Sequence, residues 1–270
     1  MISIRKLDLA PDNLSDKELV EHVLNDRVSN GKSEFLPHYL QKIWIIGCLF
    51  RDDRGVKISC IYDSIAKSEL SNSAPTNCLQ EEIDELTTIK KFFGIIEKYS
   101  PVLVSWNGRG FDVPVLNYRS IMYGISAPSF WDQGDIDSRN KYNNYINRYH
   151  RKHIDLMDVL SNFSTRSFAS LDHISRLSGF PGKLGEDGSQ VWSQFLNGRQ
   201  EEVVSYCETD VLNTYLVYLK YLKLSGGVNE EGYTQLNNEV VEYLVEAVKE
   251  KEKPHLEKYL ATWQKENDKT

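Results

Sequence analysis

Two well-separated segments hold the residues best suited to chemistry: Trp106-Asn107-Gly108-Arg109-Gly110-Phe111-Asp112 and Tyr206-Cys207-Glu208-Thr209-Asp210. A carboxylate that folding removes from water is costly unless a cation or hydrogen-bond donors compensate. Tyr206 and Asp210 stand at i and i+4 of a helical pattern, so they share one face and can act on one centre. With Asp112 they supply two carboxylates and a phenol, a set suited to metal-assisted phosphodiester hydrolysis. Plainer roles stand beside these. Asp112, at the start of a helix, would equally cap it. The Tyr206–Asp210 pair would equally tether its helix to a neighbour.

A third segment is positive in an acidic chain. Residues 139–153 carry Arg139, Lys141, Arg148, Arg151 and Lys152 interleaved with Tyr142, Tyr145 and Tyr149, and no acidic residue. Cations that pair with phosphates, set among aromatic platforms, suit a single-stranded nucleic acid. The alternative is a solvated surface whose tyrosines pack inward. Asp155, in His153-Ile154-Asp155, would approach the site from a neighbouring strand or bond backbone donors at the sheet end, and the second role is favoured. Asp187, in Gly185-Glu186-Asp187-Gly188-Ser189, is a further candidate within turn-forming sequence. His153 and His173 lack zinc-ligand spacing.

Behind these residues the chain has to supply a sheet whose strand ends present them. The 270 residues are 40% hydrophobic and 26% charged, enough for one large α/β domain with a helical appendage. The net charge of −7 argues against a protein that coats duplex DNA, which would be basic, and leaves open an enzyme gripping only a strand end. Cys48, Cys60 and Cys207 lie in apolar runs and Cys78 completes no C-x-x-C, so buried thiols in a reducing cytoplasm are expected. Neither a secretory leader nor an apolar run long enough to span a bilayer is visible.

Ser15-Asp16-Lys17-Glu18 reads as a capping box opening a helix through about Asn25. Ile43 to Phe50 is a continuous apolar run, expected as a strand buried on both faces, and Val56 to Tyr62 returns as its hairpin partner. The polar residues 64–77 read as loop. Helical spacing follows over 82–99, a strand over 102–106, and a helix over 113–123 with Pro114 in its first turn. Ile154 to Leu160 starts as a strand, Ser170 opens a helix, and Val191 to Leu196 forms a short one. Gln200 to Leu224 is a long helix stopped by Gly226-Gly227, and helical stretches around 238–249 and 255–265 follow. Such alternation suggests a mixed sheet flanked by helices.

SWNGRGFDVPVLNYRS, HIDLMDVLS, GEDGSQVW, YCETDVLNTYLVYL and the earlier SEFLPHYLQKI together resemble the tyrosine-type DEDD 3'-5' exonucleases. More closely, the chain resembles a bacterial family of predicted exonucleases related to the proofreading domain of B-family DNA polymerases, over about residues 14–226. The resemblance implies a ribonuclease H-like fold over 1–226, and residues 227–270 read by themselves as a charged helical tail. It implies two divalent ions, Mg²⁺ or Mn²⁺, and hydrolysis of the terminal phosphodiester of single-stranded DNA, with RNA as another substrate. Asn107, Phe111 and Asp112 then form the second motif, and Tyr206 with Asp210 the third. Asp210 would hold the ion that activates water, Asp112 would support the other ion, and Tyr206 would orient the attacking water.

The first motif departs from the family. The family opens on a strand carrying Asp-x-Glu followed by Pro-Asp. Aligning Pro11-Asp12 with that Pro-Asp puts Lys6 at the Asp and Asp8 at the Glu, whereas aligning Asp8 with the Asp puts Ala10 at the Glu. Asp8 is the one acidic candidate on either alignment. Either the motif lies upstream of these residues or it has decayed. A decayed site would leave a catalytically impaired, single-strand-binding relative, and a lysine at a ligand position would weaken divalent-ion binding.

Overall fold

The computed structural model describes residues 2–11, 13–33, 35–62, 78–185, 188–249 and 253–267. In chain order its elements are α1 (Ile2–Lys6), α2 (Asp16–Ser29), β1 (Ile46–Asp52), β2 (Gly55–Ile61), α3 (Cys78–Tyr99), β3 (Leu103–Ser105), α4 (Asp112–Tyr123), α5 (Pro128–Trp131) and β4 (His153–Asp155). They continue as α6 (Leu156–Leu160), α7 (Leu171–Leu177), α8 (Val191–Leu196), α9 (Gln200–Leu224), α10 (Glu230–Lys249) and α11 (Pro254–Asn267). By contacts the chain separates into a smaller unit, residues 1–43 with 109–126, and a larger one, residues 44–108 with 127–270. The loop expected over 64–77 lies outside the described residues.

The smaller unit is helical. In α2, Ser15 accepts from the Glu18 N–H at 3.4 Å while the Glu18 carboxylate accepts from the Ser15 N–H at 2.8 Å, so two orphan helix-start donors are satisfied reciprocally. Ile4, Leu19, Val20, Val23, Leu40, Ile43, Val115 and Leu116 are buried in this unit. Arg119 is buried too, its guanidinium donating to Ser3 and, at 3.3 Å, to the Tyr123 hydroxyl. Helix α4 stops at Gly124, whose φ of 63° gives the left-handed turn that frees its N–H for the Ser120 and Ile121 carbonyls.

In the larger unit β1 and β2 form an antiparallel hairpin, Gly47 facing Cys60 and Asp52 facing Gly55. The sequence reading of β1 as buried on both faces is corrected here. Its residues are half-buried from Ile46 to Leu49 and exposed beyond, and β2 is its one partner among the described strands. The strand crosses α9 closely at Gly47, where an added Cβ would come within 3.1 Å of the Cys207 Cβ and carbonyl oxygen. Separately, β3 pairs in parallel with β4, Leu103 opposite His153 and Ser105 opposite Asp155. Among the described residues the strands thus form two two-stranded sheets in a largely helical α/β fold.

Helix α9 is the axis of the larger core. Leu212, Leu216 and Leu219 are fully buried, as are Val240 and Leu244 of α10 and Leu256 and Tyr259 of α11. Each such aliphatic side chain contributes on the order of 1.5–3 kcal/mol by leaving water. Asn213, buried in the middle of α9, donates to the carbonyls of Gly182 and Thr209 at 3.0 Å and accepts the Tyr259 hydroxyl at 2.7 Å. One side chain therefore fastens α9 to the 182 turn and to α11. No helix among the described residues is long and apolar enough to cross a membrane.

Candidate active site

The i, i+4 spacing of Tyr206 and Asp210 has its expected consequence on α9, where both side chains converge on one group, Lys183. The Lys183 ammonium donates to the Tyr206 hydroxyl at 2.8 Å and lies 3.9 Å from Asp210 Oδ2. It also stands 4.9 Å from the Tyr206 ring centre. The lysine is held from behind, since its backbone N–H donates to Asp172 Oδ1 at 2.7 Å and the preceding carbonyl accepts from Asn213. Gly182 has φ 67°, and a Cβ there would meet Asp172 Oδ1 at 2.5 Å, so the turn needs glycine twice over. Gly188 completes the setting, its α-carbon side facing the Tyr206 hydroxyl with 3.2 Å left for a Cβ. Lys183 was not among the sequence candidates. The available signal was a lysine directly after the Pro181-Gly182 turn, informative only once the turn's position is known.

Glu208, two residues from each of these side chains, points the other way around the helix into the core. It is 4% exposed, and its two oxygens meet Lys253 Nζ at 2.7 Å and His255 Nε2 at 2.8 Å. Burial works against the carboxylate charge, but the hydrogen bonds from His255 and Lys253 prevail and hold the group below the ordinary range. Lys253 is held above its ordinary value, the Glu208 hydrogen bond outweighing burial. The cluster joins α11 to α9. Nearby, burial pushes the Cys48 thiol up to about 12, which keeps it an unreactive thiol.

The second-motif residues divide between the two units. In the smaller unit Phe111 packs against Phe35 and His38, ring centres 5.6 and 5.5 Å apart. Asp112 is exposed and is the first residue of α4. The preceding N-cap position is Phe111, which makes no side-chain cap, and Asp112 is the acidic residue of the first turn, where its charge favours the helix dipole. Asp8 is exposed in the turn that ends α1, with φ 50°. The Lys6–Asp8 stretch is thus helix end and turn, not strand.

In the larger unit Asn107 adopts φ 61° and its N–H donates to Asp155 Oδ1 at 2.9 Å. The same oxygen accepts the Met157 N–H at 3.2 Å, so buried Asp155 ties the end of β3 to the start of α6. His153 is buried and shares a 2.9 Å hydrogen bond with Ser105 across the parallel pair. Asp187 lies outside the described residues.

The basic segment splits into an inner and an outer part. Tyr145 is 2% exposed, stacks on Phe130 at 5.4 Å and donates to the Pro101 carbonyl at 2.6 Å. This corrects its reading as a base-stacking platform, since no face of the ring meets solvent. Arg148 pairs with Asp158 at 2.9 Å and lies over Phe163, and Arg139 pairs with Asp137 at 2.7 Å. Tyr142 and Tyr149 remain 78% and 68% exposed, with Lys141 over the Tyr142 ring and Arg151 also exposed. The segment is organised by Asp132, whose carboxyl is held well below the usual range by Asn140 and then by backbone N–H donors of 134, 136 and 137.

The chain belongs to the family described as predicted 3'-5' exonuclease related to the exonuclease domain of PolB, whose model matches residues 33–263. The match runs through α10 and most of α11, beyond the end of the resemblance read from sequence, and leaves out the residues before 33. No curated protein and no solved structure matches. The family places the chain among nucleases that usually use divalent metals. Hard oxygen donors such as Asp210 and Asp112 suit Mg²⁺ or Mn²⁺ in kind. They fall short in number, because among the described residues no group of three or more His, Cys, Asp and Glu could hold an ion. Asp210 moreover already faces an ammonium. The residues described therefore do not make up a metal centre.

Proposed function

We propose that the protein is a 3'-5' exonuclease acting on ends of single-stranded DNA. The observation that supports this reading most directly is the convergence of Tyr206 and Asp210 on one half-buried polar face of α9, in a segment that the resemblance assigns to the third motif and that lies within the span of the matched nuclease family. In this reading Tyr206 orients the attacking water and Asp210 and Asp112 are required carboxylates. Asn107 and Phe111 attend the terminal nucleotide. Lys141, Tyr142, Tyr149 and Arg151 offer exposed charge and rings to the strand behind it. Dependence on Mg²⁺ or Mn²⁺, with two ions, enters the proposal from the family resemblance, and no step is derived through them.

The test is digestion of a 3'-labelled single strand with Mg²⁺ or Mn²⁺ and with EDTA, beside a matching RNA. Stepwise loss of 3' nucleotides is expected, falling by roughly 10²-fold in Tyr206→Phe, as for loss of a group that manages a proton in the transition state. Asp112→Ala and Asp210→Ala should fall to background. Activity that survives in both carboxylate variants would remove the enzyme reading.

A second reading is supported by a specific observation, the helical Ile2–Lys6 where the family has a strand, beside the lack of a three-ligand cluster among the described residues. Here the protein is a catalytically impaired relative that binds single strands. Salt-sensitive binding without cleavage under all metal conditions would favour it over the first.

A further inference from the structure

The lysine held between Tyr206 and Asp210 points to a role for Lys183 that neither the family nor the motif residues assign. We propose that Lys183 is the resident counter-ion of Asp210 and competes with divalent cations for that carboxylate. The inference rests on reading Asp210 as a carboxylate that meets the ions, and it deepens that reading.

Three features carry it. First, the backbone that carries Lys183 is fixed, its N–H held by Asp172 and the preceding carbonyl by a buried asparagine, so the side chain starts from a set position. Second, the Tyr206 hydroxyl accepts one ammonium proton at 2.8 Å and so aims the charge toward Asp210, 3.9 Å away. Third, the side chains are about equally shielded, Lys183 at 27% and Asp210 at 26% exposed, so the pair is partly screened from water yet open to small ions. A cation arriving at Asp210 must overcome like-charge repulsion from an ammonium that cannot leave without giving up its phenol partner. The arrangement compensates the carboxylate with a resident charge, at the expense of divalent-ion affinity.

The experiment measures Mn²⁺ binding to the full chain by electron paramagnetic resonance, without nucleic acid. Lys183→Met should bind Mn²⁺ roughly two- to fivefold more tightly than wild type, the scale expected for removing one partly screened like charge. Lys183→Arg should stay near wild type because the charge remains. Lys183→Gln keeps a donor for Tyr206 without the charge and should follow Lys183→Met, which guards against a folding defect in either one. The tightening should vanish when Asp210→Asn is added. Unchanged or weaker binding in both neutral variants, or tightening that persists without Asp210, would overturn the proposal. Nuclease assays on the same samples separate the two readings. Tighter Mn²⁺ binding without cleavage leaves the counter-ion role standing and removes the exonuclease, and cleavage without tightening does the reverse.

Discussion

Two carboxylates on α9, Glu208 and Asp210, each meet a lysine, and the two pairs have opposite characters. Glu208 is sealed in the core with both oxygens occupied at 2.7 and 2.8 Å. Asp210 is a quarter exposed and its lysine stands off at 3.9 Å. Two residues apart on a helix means nearly opposite faces. The helix turns one acid inward to bind its own chain and the other outward to a face that small ions can reach. A buried pair is hard to break without penalty and a half-exposed pair is cheap to rearrange. The difference separates architecture from chemistry within a single turn.

Of the two pairs, the inner one carries the larger expected effect. Glu208→Ala takes the carboxylate partner from the partly buried Lys253 ammonium and should cost up to about 3 kcal/mol, the lower end of what is seen when one partner of a buried ion pair is removed. Chemical denaturation would read it. Adding Lys253→Met should recover much of the loss, and a double variant no better than the single would show that the pair does not act as a unit.

The same pair gives pH limits to stability. Glu208 titrates below its ordinary 4.5 when folded, so its contribution is complete above about that pH and is lost as pH falls through the lowered value. Lys253 titrates above its ordinary 10.5 when folded, so its contribution is complete below that pH and is lost as pH rises through the raised value. Thermal melting from acid to alkaline pH should show a plateau between these limits. In Glu208→Gln both shoulders should flatten, and unchanged shoulders would assign them to other groups.

Sequence made the outline legible where local signals were strong. The capping box at Ser15 and Glu18, the span Gln200–Leu224 and the strand that ends at the Asn107 turn all follow from periodicity and stop residues. Misses occur where tertiary partners decide. Tyr145 looks like any tyrosine of a basic segment until Phe130 and the Pro101 carbonyl, distant in sequence, claim it. The run from Ile43 to Phe50 promised full burial on both faces, yet Ile46 to Leu49 are half-buried and Phe50 is exposed. Lys183 and Lys253 became meaningful only through long-range contacts with α9.

Exposed parts of the basic segment sharpen the contrast at intermediate size. Replacing Tyr142 and Tyr149 with alanine should weaken single-strand binding by about 1–3 kcal/mol per ring that stacks a base, without a change in melting temperature. Tyr145→Ala should do the opposite, lowering stability by about 3–5 kcal/mol as a large core truncation. Fluorescence anisotropy on labelled oligonucleotides, run beside melting curves, would check both. Loss of binding in Tyr145→Ala at temperatures where it is folded would reopen that ring as a contact.

The smallest effect on stability should come from Asp210 itself. Its lysine is near enough to neutralise it and too far for a strong hydrogen bond, and both side chains keep about a quarter of their surface in water. Such pairs contribute roughly 0–1 kcal/mol, so Asp210→Asn should shift denaturation midpoints only slightly. The asparagine keeps the volume and leaves the Lys183–Tyr206 hydrogen bond in place. A loss as large as that of Glu208→Ala would mean that the outer acid is also structural. The two faces of α9 would then no longer differ in kind, and neither the counter-ion role of Lys183 nor the catalytic role of Asp210 could be read from exposure.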